Sequence, residues 1–139
     1  MPSANSLFLP KRLADAYFTG SYKMLLVSSV PSESDLDTFD FRSDIANEVA
    51  ASGTYATGGA AVTCTVSAVD TTNNRVSVTF GAPAAFTSAT ISAVGGWIYK
   101  AVGSAATDEL VTYVDFGGTI TSTAGTFTVT LSTPLYVNR

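Results

Sequence analysis

Residues 60–80, AAVTCTVSAVDTTNNRVSVTF, alternate apolar and polar side chains in two runs, and this stretch decides the fold class. Alternation with a period of two is typical of a half-buried β-strand, because successive strand side chains point to opposite faces. Between the runs lies Thr71-Thr72-Asn73-Asn74, and asparagine tolerates the left-handed backbone that tight hairpin turns require. The stretch therefore predicts a β-hairpin.

Similar runs on both sides of the hairpin predict further strands. Residues 22–29, YKMLLVSS, are apolar on nearly both faces and predict a central strand. Residues 91–100, ISAVGGWIYK, predict a long strand with a bulge at Gly95-Gly96. Alternating residues at 110–116 and 126–132 predict two more strands. Strands at this spacing predict an all-β fold, an antiparallel β-sandwich or barrel of roughly seven strands.

One helix is predicted, at residues 10–19. Pro10 suits its first turn, and Gly20 suits the position just past its end. Phe8, Leu13, Ala16 and Tyr17 can form one apolar face of this helix. The length of 139 residues is that of one ordinary domain, so residues 1–139 are expected to form a single domain. Residues 1–20 would be its N-terminal arm and helix.

Composition argues against several classes of protein. Charged residues make up 13% of the chain, and 20 threonines supply polarity of the kind that suits strands. A net charge of −4 argues against nucleic acid as a partner, because nucleic-acid binding needs a basic surface. The start of the chain does not have the pattern of a secretion signal, and no apolar run reaches the length of a membrane span. We therefore expect a soluble protein with no membrane partner.

The segment at residues 31–58 is polar and acidic, and it predicts a long irregular loop that binds a partner. Asp44 through Val49 could form a helical turn. Arg42 is expected to form either a local ion pair with Asp40 or Asp44 or an ion pair with another subunit. Several carboxylates together can hold calcium, but the spacing of a calcium-binding helix–loop–helix motif is absent. Capping of turns by these side chains is the favoured alternative, and docking to a partner protein is the next. The acidic residues of the segment are Glu33, Asp35, Asp37, Asp40, Asp44 and Glu48.

No set of residues predicts catalysis. The chain contains no histidine, which is the usual base beside a nucleophilic serine or cysteine. Four further acids are expected at turns or strand edges on the surface, where they would not form a glycosidase pair: Asp70, Asp108, Glu109 and Asp115. We therefore expect no enzyme activity, no cofactor, and no catalytic, cofactor-binding or metal-binding residues. The single cysteine, Cys64, is predicted to be a small buried side chain.

Trp97 and Tyr99 lie on one face of a predicted strand. Aromatic side chains in such a position can stack on sugars, which makes a carbohydrate-binding module one alternative. Packing in the core or at an interface is the favoured interpretation, because tryptophan and tyrosine bury large areas in both settings.

Several short motifs occur together in an order that resembles a family of small structural proteins of tailed phages and prophages, some of which are capsid cement or decoration proteins. The resemblance spans nearly the whole chain, and its most specific part is the middle block from Asp40-Phe-Arg-Ser-Asp44 to Gly58-Gly59. The remaining motifs are Asn5-Ser-Leu-Phe8, Lys23-Met-Leu-Leu-Val-Ser-Ser29, Asn47-Glu-Val49, Gly53-Thr-Tyr55, Trp97-Ile-Tyr-Lys100, Asp115-Phe-Gly117 and Gly125-Thr-Phe-Thr-Val-Thr130.

This resemblance implies a non-enzymatic virion protein that is assembled in the cytoplasm of a bacterial host. We expect a capsid cement or decoration protein that bridges and stabilises capsid subunits, with the major capsid protein or other virion proteins as partners. A homo-oligomer is expected, and a trimer at three-fold positions of the shell is the preferred form. A tail or neck component of the same particle is the alternative with the same sequence features.

If the acidic segment caps turns and does not hold calcium, chelation should leave thermal stability nearly unchanged. Differential scanning fluorimetry with a chelator and then with millimolar calcium tests this. A melting temperature that rises by many degrees with calcium would contradict it, because a ligand specific to the native state stabilises that state by mass action.

Overall fold

The structure is a computed structural model, and it describes residues 8–138. Residues 1–7 of the predicted N-terminal arm lie outside the described range. The elements are α1 (Phe8–Tyr17), β1 (Tyr22–Val27), α2 (Glu33–Thr38), a 3₁₀ turn (Arg42–Asp44), β2 (Ala60–Val66), β3 (Arg75–Gly81), β4 (Phe86–Lys100), β5 (Glu109–Phe127) and β6 (Leu135–Asn138). Hydrogen bonds pair the strands in the order β5-β4-β1-β2-β3-β6, and every pair is antiparallel. The predicted all-β class with a short N-terminal helix is confirmed.

The described residues contain six strands, whereas roughly seven were predicted. The strand predicted at residues 126–132 is wrong beyond Phe127, because residues 128–134 are not in a strand. Residues 109–127 form one continuous strand instead of two. Gly117 lies at φ 78°, and the Asp115 carboxylate accepts a hydrogen bond from its N–H at 2.8 Å. Glycine adopts this conformation without a steric penalty, so the strand continues through the bend.

The described chain divides into two compact units, and the first comprises residues 8–20, 63–82 and 130–138. The predicted hairpin of β2 and β3 is confirmed here, with Asn74 in the turn at φ 55°. Val76, Val78 and Phe80 are buried, and the Phe80 ring meets the ring of Phe18 edge-on with centroids 6.2 Å apart. That contact places the end of the N-terminal segment over β3.

The helix α1 begins two residues earlier than predicted and packs a different face against β3 and β6. Pro10 and Ala14, four residues apart, are its buried side chains. Phe8 and Leu13, which were predicted to face inward, are 60% and 57% exposed. The small side chain of Ala14 allows a close approach to the sheet, and this sets the rotation of the helix about its axis.

The second unit comprises residues 21–62 and 83–129. Its central strand is β1, as predicted, although the strand ends at Val27 and not at Ser29. Five of the six β1 side chains are at most 2% exposed: Tyr22, Met24, Leu25, Leu26 and Val27. The two strands β4 and β2 lie on either side of β1, and the predicted bulge at Gly95-Gly96 is confirmed as a register shift between Ala93 and Gly95. The prediction of a single domain over residues 1–139 stays a prediction.

Gly59 lies directly over β1. At φ 77°, it brings its Cα so close that a Cβ there would overlap the carbonyl oxygen of Met24. Gly20 has a similar conformation, at φ 91°, but a Cβ there would meet no atom within 4 Å. At either position, a residue with a side chain would therefore have a strained backbone. Only at Gly59 would its Cβ also overlap β1.

We expect Gly59→Ala to reduce the free energy of unfolding far more than Gly20→Ala does. Strain from a left-handed backbone costs about 1–2 kcal/mol at each site. The overlap with β1 should add about 1–3 kcal/mol for Gly59→Ala alone. Urea unfolding of both variants measures the difference, and equal losses would show that the packing of residue 59 against β1 is loose.

Candidate functional site

The segment at residues 31–58 was predicted to be an irregular loop, but the structure places α2 and the 3₁₀ turn within it. Ser32 begins α2, and its hydroxyl accepts a hydrogen bond from the N–H of Asp35 at 3.2 Å. The Asp35 carboxylate in turn accepts a hydrogen bond from the N–H of Ser32 at 2.9 Å. This reciprocal arrangement is a capping box, and it explains how a helix of six residues forms in a polar stretch.

The helical turn predicted at Asp44 through Val49 is wrong. The Asp44 carboxylate accepts hydrogen bonds from the N–H groups of Asp40 and Phe41, both at 2.9 Å, and so belongs to the turn before it. Because both bonds favour the ionised form, they lower the pKa of Asp44. The chain then extends beside the end of β1, where Ser28 donates its N–H to the carbonyl of Asn47 and Val49 donates to that of Leu26.

Arg42 pairs with Asp108, not with Asp40 or Asp44 as predicted. The distance from Arg42 Nε to Asp108 Oδ2 is 2.9 Å. Asp108 was predicted to lie on the surface, but it is only 2% exposed. Its Oδ1 accepts hydrogen bonds from the N–H groups of Val102 at 2.7 Å and Gly103 at 3.2 Å. The other three acids of that prediction, Asp70, Glu109 and Asp115, lie at turns or on an exposed strand position, as expected.

The surroundings of Asp108 act in opposite directions on its pKa. Burial raises it, because a low-dielectric site disfavours the charged form. The hydrogen bonds from Val102, Arg42 and Gly103, together with the guanidinium charge, outweigh burial and leave the pKa below its ordinary value. Asp108 is therefore an ionised carboxylate whose acceptor positions are already occupied, which suits a structural role and not proton transfer.

Two buried tyrosines connect the same segment to β1 and β4. The Tyr99 hydroxyl donates a hydrogen bond to the carbonyl of Gly58 at 2.5 Å, and the Arg42 guanidinium lies 5.2 Å from the centre of the Tyr99 ring. The Tyr55 hydroxyl donates to Glu48 at 2.9 Å and accepts from the N–H of Leu26 at 3.0 Å. Burial raises the pKa of Tyr99 to about 12 and raises that of Tyr55 as well, so both phenols are protonated at neutral pH.

We call this set of side chains the anchoring network: Arg42, Glu48, Tyr55, Tyr99 and Asp108. Glu48 completes it by accepting a second hydrogen bond, from the N–H of Gly58 at 2.6 Å. Nothing in the sequence indicates these pairings, because the donors and acceptors are separated by as many as 66 residues. The network holds residues 42–58 in place, and Glu48 also lines a pocket of about 430 Å³ with residues of β4 that include Thr90 and Ser92.

The six acids predicted to cap, to dock or to bind metal divide into two groups. Asp35 and Asp44 cap α2 and the 3₁₀ turn, which confirms the capping prediction for these two. Glu48 accepts hydrogen bonds from the N–H of Gly58, ten residues away, and from the Tyr55 hydroxyl, so it joins separate parts of the segment and caps no turn. The side chains of Glu33, Asp37 and Asp40 are exposed, and within residues 8–138 they make no hydrogen bond or ion pair. We call these three residues the acidic face. In the described part of the chain, no group of three or more acids and cysteines is placed to hold a metal ion.

Trp97 and Tyr99 are 6% and 2% exposed, which confirms the prediction that they pack in the core. The Trp97 ring contacts those of Tyr113 and Phe39, with centroids 5.4 and 6.3 Å away. A cavity of about 210 Å³ beside Trp97 has Val30, Pro31 and Asp35 in its lining. Neither aromatic ring offers the open face that stacking on a sugar requires.

Cys64 is half-buried in β2, and burial raises the pKa of its thiol. A thiol with a raised pKa is a poor nucleophile, because the thiolate is the reactive form. This agrees with the predicted role of a small packing residue, although the side chain is less buried than expected.

No family model, no curated protein and no solved structure matches this chain. Among residues 8–138, no helix is long and apolar enough to cross a membrane.

We expect Asp108→Asn to destabilise the second unit, because it leaves the Arg42 guanidinium without its buried counter-ion. Removal of one partner from a buried pair costs about 3–5 kcal/mol, and the partial exposure of Arg42 places the loss near the lower end of that range. The matched control is Asp15→Asn, which breaks the exposed pair of Lys11 and Asp15 and should cost about 0.5 kcal/mol or less.

The same pair predicts how stability depends on pH. The folded pKa of Asp108 lies below its unfolded value of about 4, so its contribution is present above that pH and is lost as the pH falls through the folded pKa. The free energy of unfolding of the wild type, measured with urea, should therefore fall as the solution becomes more acidic. That of Asp108→Asn should fall less steeply over the same pH range. Parallel pH profiles for the two proteins would contradict the assignment.

Proposed function

We propose that this protein is a non-enzymatic structural module that binds other proteins, and that it serves as a capsid cement or decoration protein of a tailed-phage particle. The observation that carries the protein-binding part is the acidic face. Three carboxylates lie on α2 and on the residues that lead into the 3₁₀ turn, where the capping box at Ser32 and Asp35 orders the backbone, and they serve no partner within the described chain. The virion assignment rests on the resemblance of the sequence motifs.

A segment that is ordered before binding favours docking. The free protein has already lost the conformational entropy of residues 33–58, so binding does not have to supply it. The sequence predicted an irregular loop at these residues. The capping box at Ser32 and Asp35 and the hydrogen bonds of Asp44 support a preformed surface instead.

The buried titratable groups support a structural role over catalysis. Asp108 accepts hydrogen bonds from two backbone N–H groups and from Arg42, and Tyr55 and Tyr99 are held protonated by burial. General acid–base catalysis needs a group that can reach the reacting atom and change its protonation state near the working pH. The lowered pKa of Asp108 and the raised pKa values of Tyr55 and Tyr99 keep these three groups in one protonation state near neutral pH.

Apolar side chains on the surface of the first unit fit a protein that is partly covered in its working state. Phe8 and Leu13 on α1 are more than half exposed, and Tyr136 on β6 is 43% exposed. Only 13% of all residues are charged. A surface with large exposed apolar groups and few charges is typical of sites that contact other proteins.

In this role the protein sits in the virion, where it bridges capsid subunits after assembly in the cytoplasm of the bacterial host. Its partner is the major capsid protein or another virion protein that presents basic groups to the acidic face. Because it binds the assembled shell and not loose subunits, mass action shifts the equilibrium toward the shell. A map of the particle tests the location directly, since density on the neck or tail would replace the cement assignment with the tail-component alternative.

We expect the triple variant Glu33→Gln, Asp37→Asn, Asp40→Asn to bind poorly to particles that lack their own copy of the protein. The loss of one side of a desolvated charge pair costs roughly 2–5 kcal/mol at an interface. The measurement is the number of bound copies per particle at low and high salt. Wild-type binding should weaken with salt, and the variant should show a smaller salt dependence.

A charge-matched control separates the acidic face from the net charge. Asp15→Asn, Asp70→Asn and Asp115→Asn remove three carboxylates that lie outside residues 31–58, two of them exposed and one half-buried, and this variant should bind as the wild type does. Both variants should retain the wild-type circular dichroism spectrum. Equal occupancy for the wild type and the acidic-face variant at both salts would show that this face does not dock.

A further inference from the structure

The strand β5 lies at the edge of the sheet. It pairs with β4 along one side, and its first residues are covered by the preceding segment, where Phe41 bridges to Glu109 and Leu110 donates its N–H to the carbonyl of Asp40. Beyond Gly118, within residues 8–138, the backbone hydrogen bonds of β5 go only to β4. The other side of the strand therefore presents unpaired N–H and carbonyl groups.

This part of β5 lacks two of the usual protections of an edge strand. Natural edge strands carry charged residues, proline or bulges that prevent pairing with another chain. Residues 116–127, FGGTITSTAGTF, contain no charged residue and no proline. The register with β4 shifts on both sides, between Asp115 and Ile120 and between Ser122 and Gly125, and the left-handed residues Gly117 and Ala124 lie in those stretches. Residues 120–122 keep a continuous register with β4, and we call them, together with the flanking Thr119 and Thr123, the edge window.

The sequence of the edge window fits a second copy of itself. Thr119-Ile-Thr-Ser-Thr123 reads nearly the same in both directions about Thr121. An antiparallel pair of two windows centred on Thr121 would place Thr119 opposite Thr123, and threonine pairs across strands are favourable. Although the protein carries a net charge of −4, the nearest described charge along the strand is Asp115, so no like charges would meet within the pair.

We propose that the edge window pairs antiparallel with the same window of a second copy, around a two-fold axis at Thr121. This two-fold contact is isologous, and such contacts are the commonest symmetry of soluble homo-oligomers. Five residues of strand edge bury much less area than a stable interface needs, so the dimer is weak in dilute solution. It strengthens where copies are held close together, because tethering raises their effective concentration. The inference depends on the strand edge alone and does not require the virion role.

The first test measures self-association by analytical ultracentrifugation from micromolar to millimolar concentration. Thr121→Lys places like charges opposite each other at the axis and should weaken the dimer at least about tenfold, which is roughly 1.4 kcal/mol. The matched control is Ser92→Lys, because Ser92 is exposed and is the register partner of Thr121 on β4, away from the edge. A wild type that stays monomeric at millimolar concentration, or equal association of the two variants, would overturn the proposal.

The second test fixes the register and does not depend on the strength of the dimer. In a Cys64→Ser background, oxidised Thr121→Cys should form a disulfide dimer, because opposing Cβ atoms in an antiparallel pair are about 4.5–5.5 Å apart, near the range that disulfides span. Thr123→Cys alone should cross-link far less, because it faces Thr119, but a mixture of Thr119→Cys and Thr123→Cys proteins should cross-link. Equal yields for Thr121→Cys alone and Thr123→Cys alone would exclude the proposed register.

Discussion

Strand β1 is buried on both faces, and the rest of the second unit depends on how that burial is achieved. Leu25 and Val27 pack with Trp97 and Tyr99, and this cluster is extended by partly buried side chains that include Phe39 and Ile45 from the acidic segment. Each such apolar side chain contributes about 1.5–3 kcal/mol when fully buried. The segment at residues 31–58 is thus part of the core covering of β1. Its backbone has to pass over an apolar surface, where each unpaired polar group costs about 1–3 kcal/mol.

The anchoring network removes most of this penalty, because its side chains form hydrogen bonds with these backbone groups. Tyr55 and Glu48 satisfy the N–H groups of Leu26 and Gly58, and Tyr99 satisfies the carbonyl of Gly58. The charge of Asp108 is tolerated because Arg42 and two backbone N–H groups surround it. Burial of a pair like this is weak evidence of added stability, since desolvation can cancel the attraction between the charges. What the pair does fix is position, because Asp108 and Arg42 fit only one placement of the segment against β4 and β5.

Sequence patterns predicted the parts of this fold that local chemistry determines. The hairpin of β2 and β3 was predicted because a period of two and two asparagines specify it, and the buried strand β1 was predicted because its run is apolar on nearly both faces. The α1 helix was predicted, but its inward face was not, because a short helix with apolar residues on several sides leaves its rotation open. The pairing of Arg42 with Asp108 joins residues 66 positions apart, and nothing near either residue indicates the other. The sequence therefore predicted which segment contains the candidate site. It did not predict the helix, the 3₁₀ turn or the contacts of the anchoring network within that segment.

The acidic face and the edge window differ in charge, and this difference decides which kind of partner each surface can bind. Two copies meeting through the acidic face would oppose Glu33, Asp37 and Asp40 to carboxylates of the same kind, and such a juxtaposition is strongly unfavourable. The partner that we propose for that face is therefore a different molecule that carries positive charge. The edge window has the opposite character, because it carries no charge and offers only backbone groups and hydroxyls. Pairing there is insensitive to the sign of the partner's charge and nearly insensitive to salt, so a contact between copies and a contact with a basic partner respond to different conditions. The same division would let a chain with a net charge of −4 both associate with itself and bind a basic partner, because the edge window carries no charge and the acidic face lies at residues 33–40, on a different part of the chain.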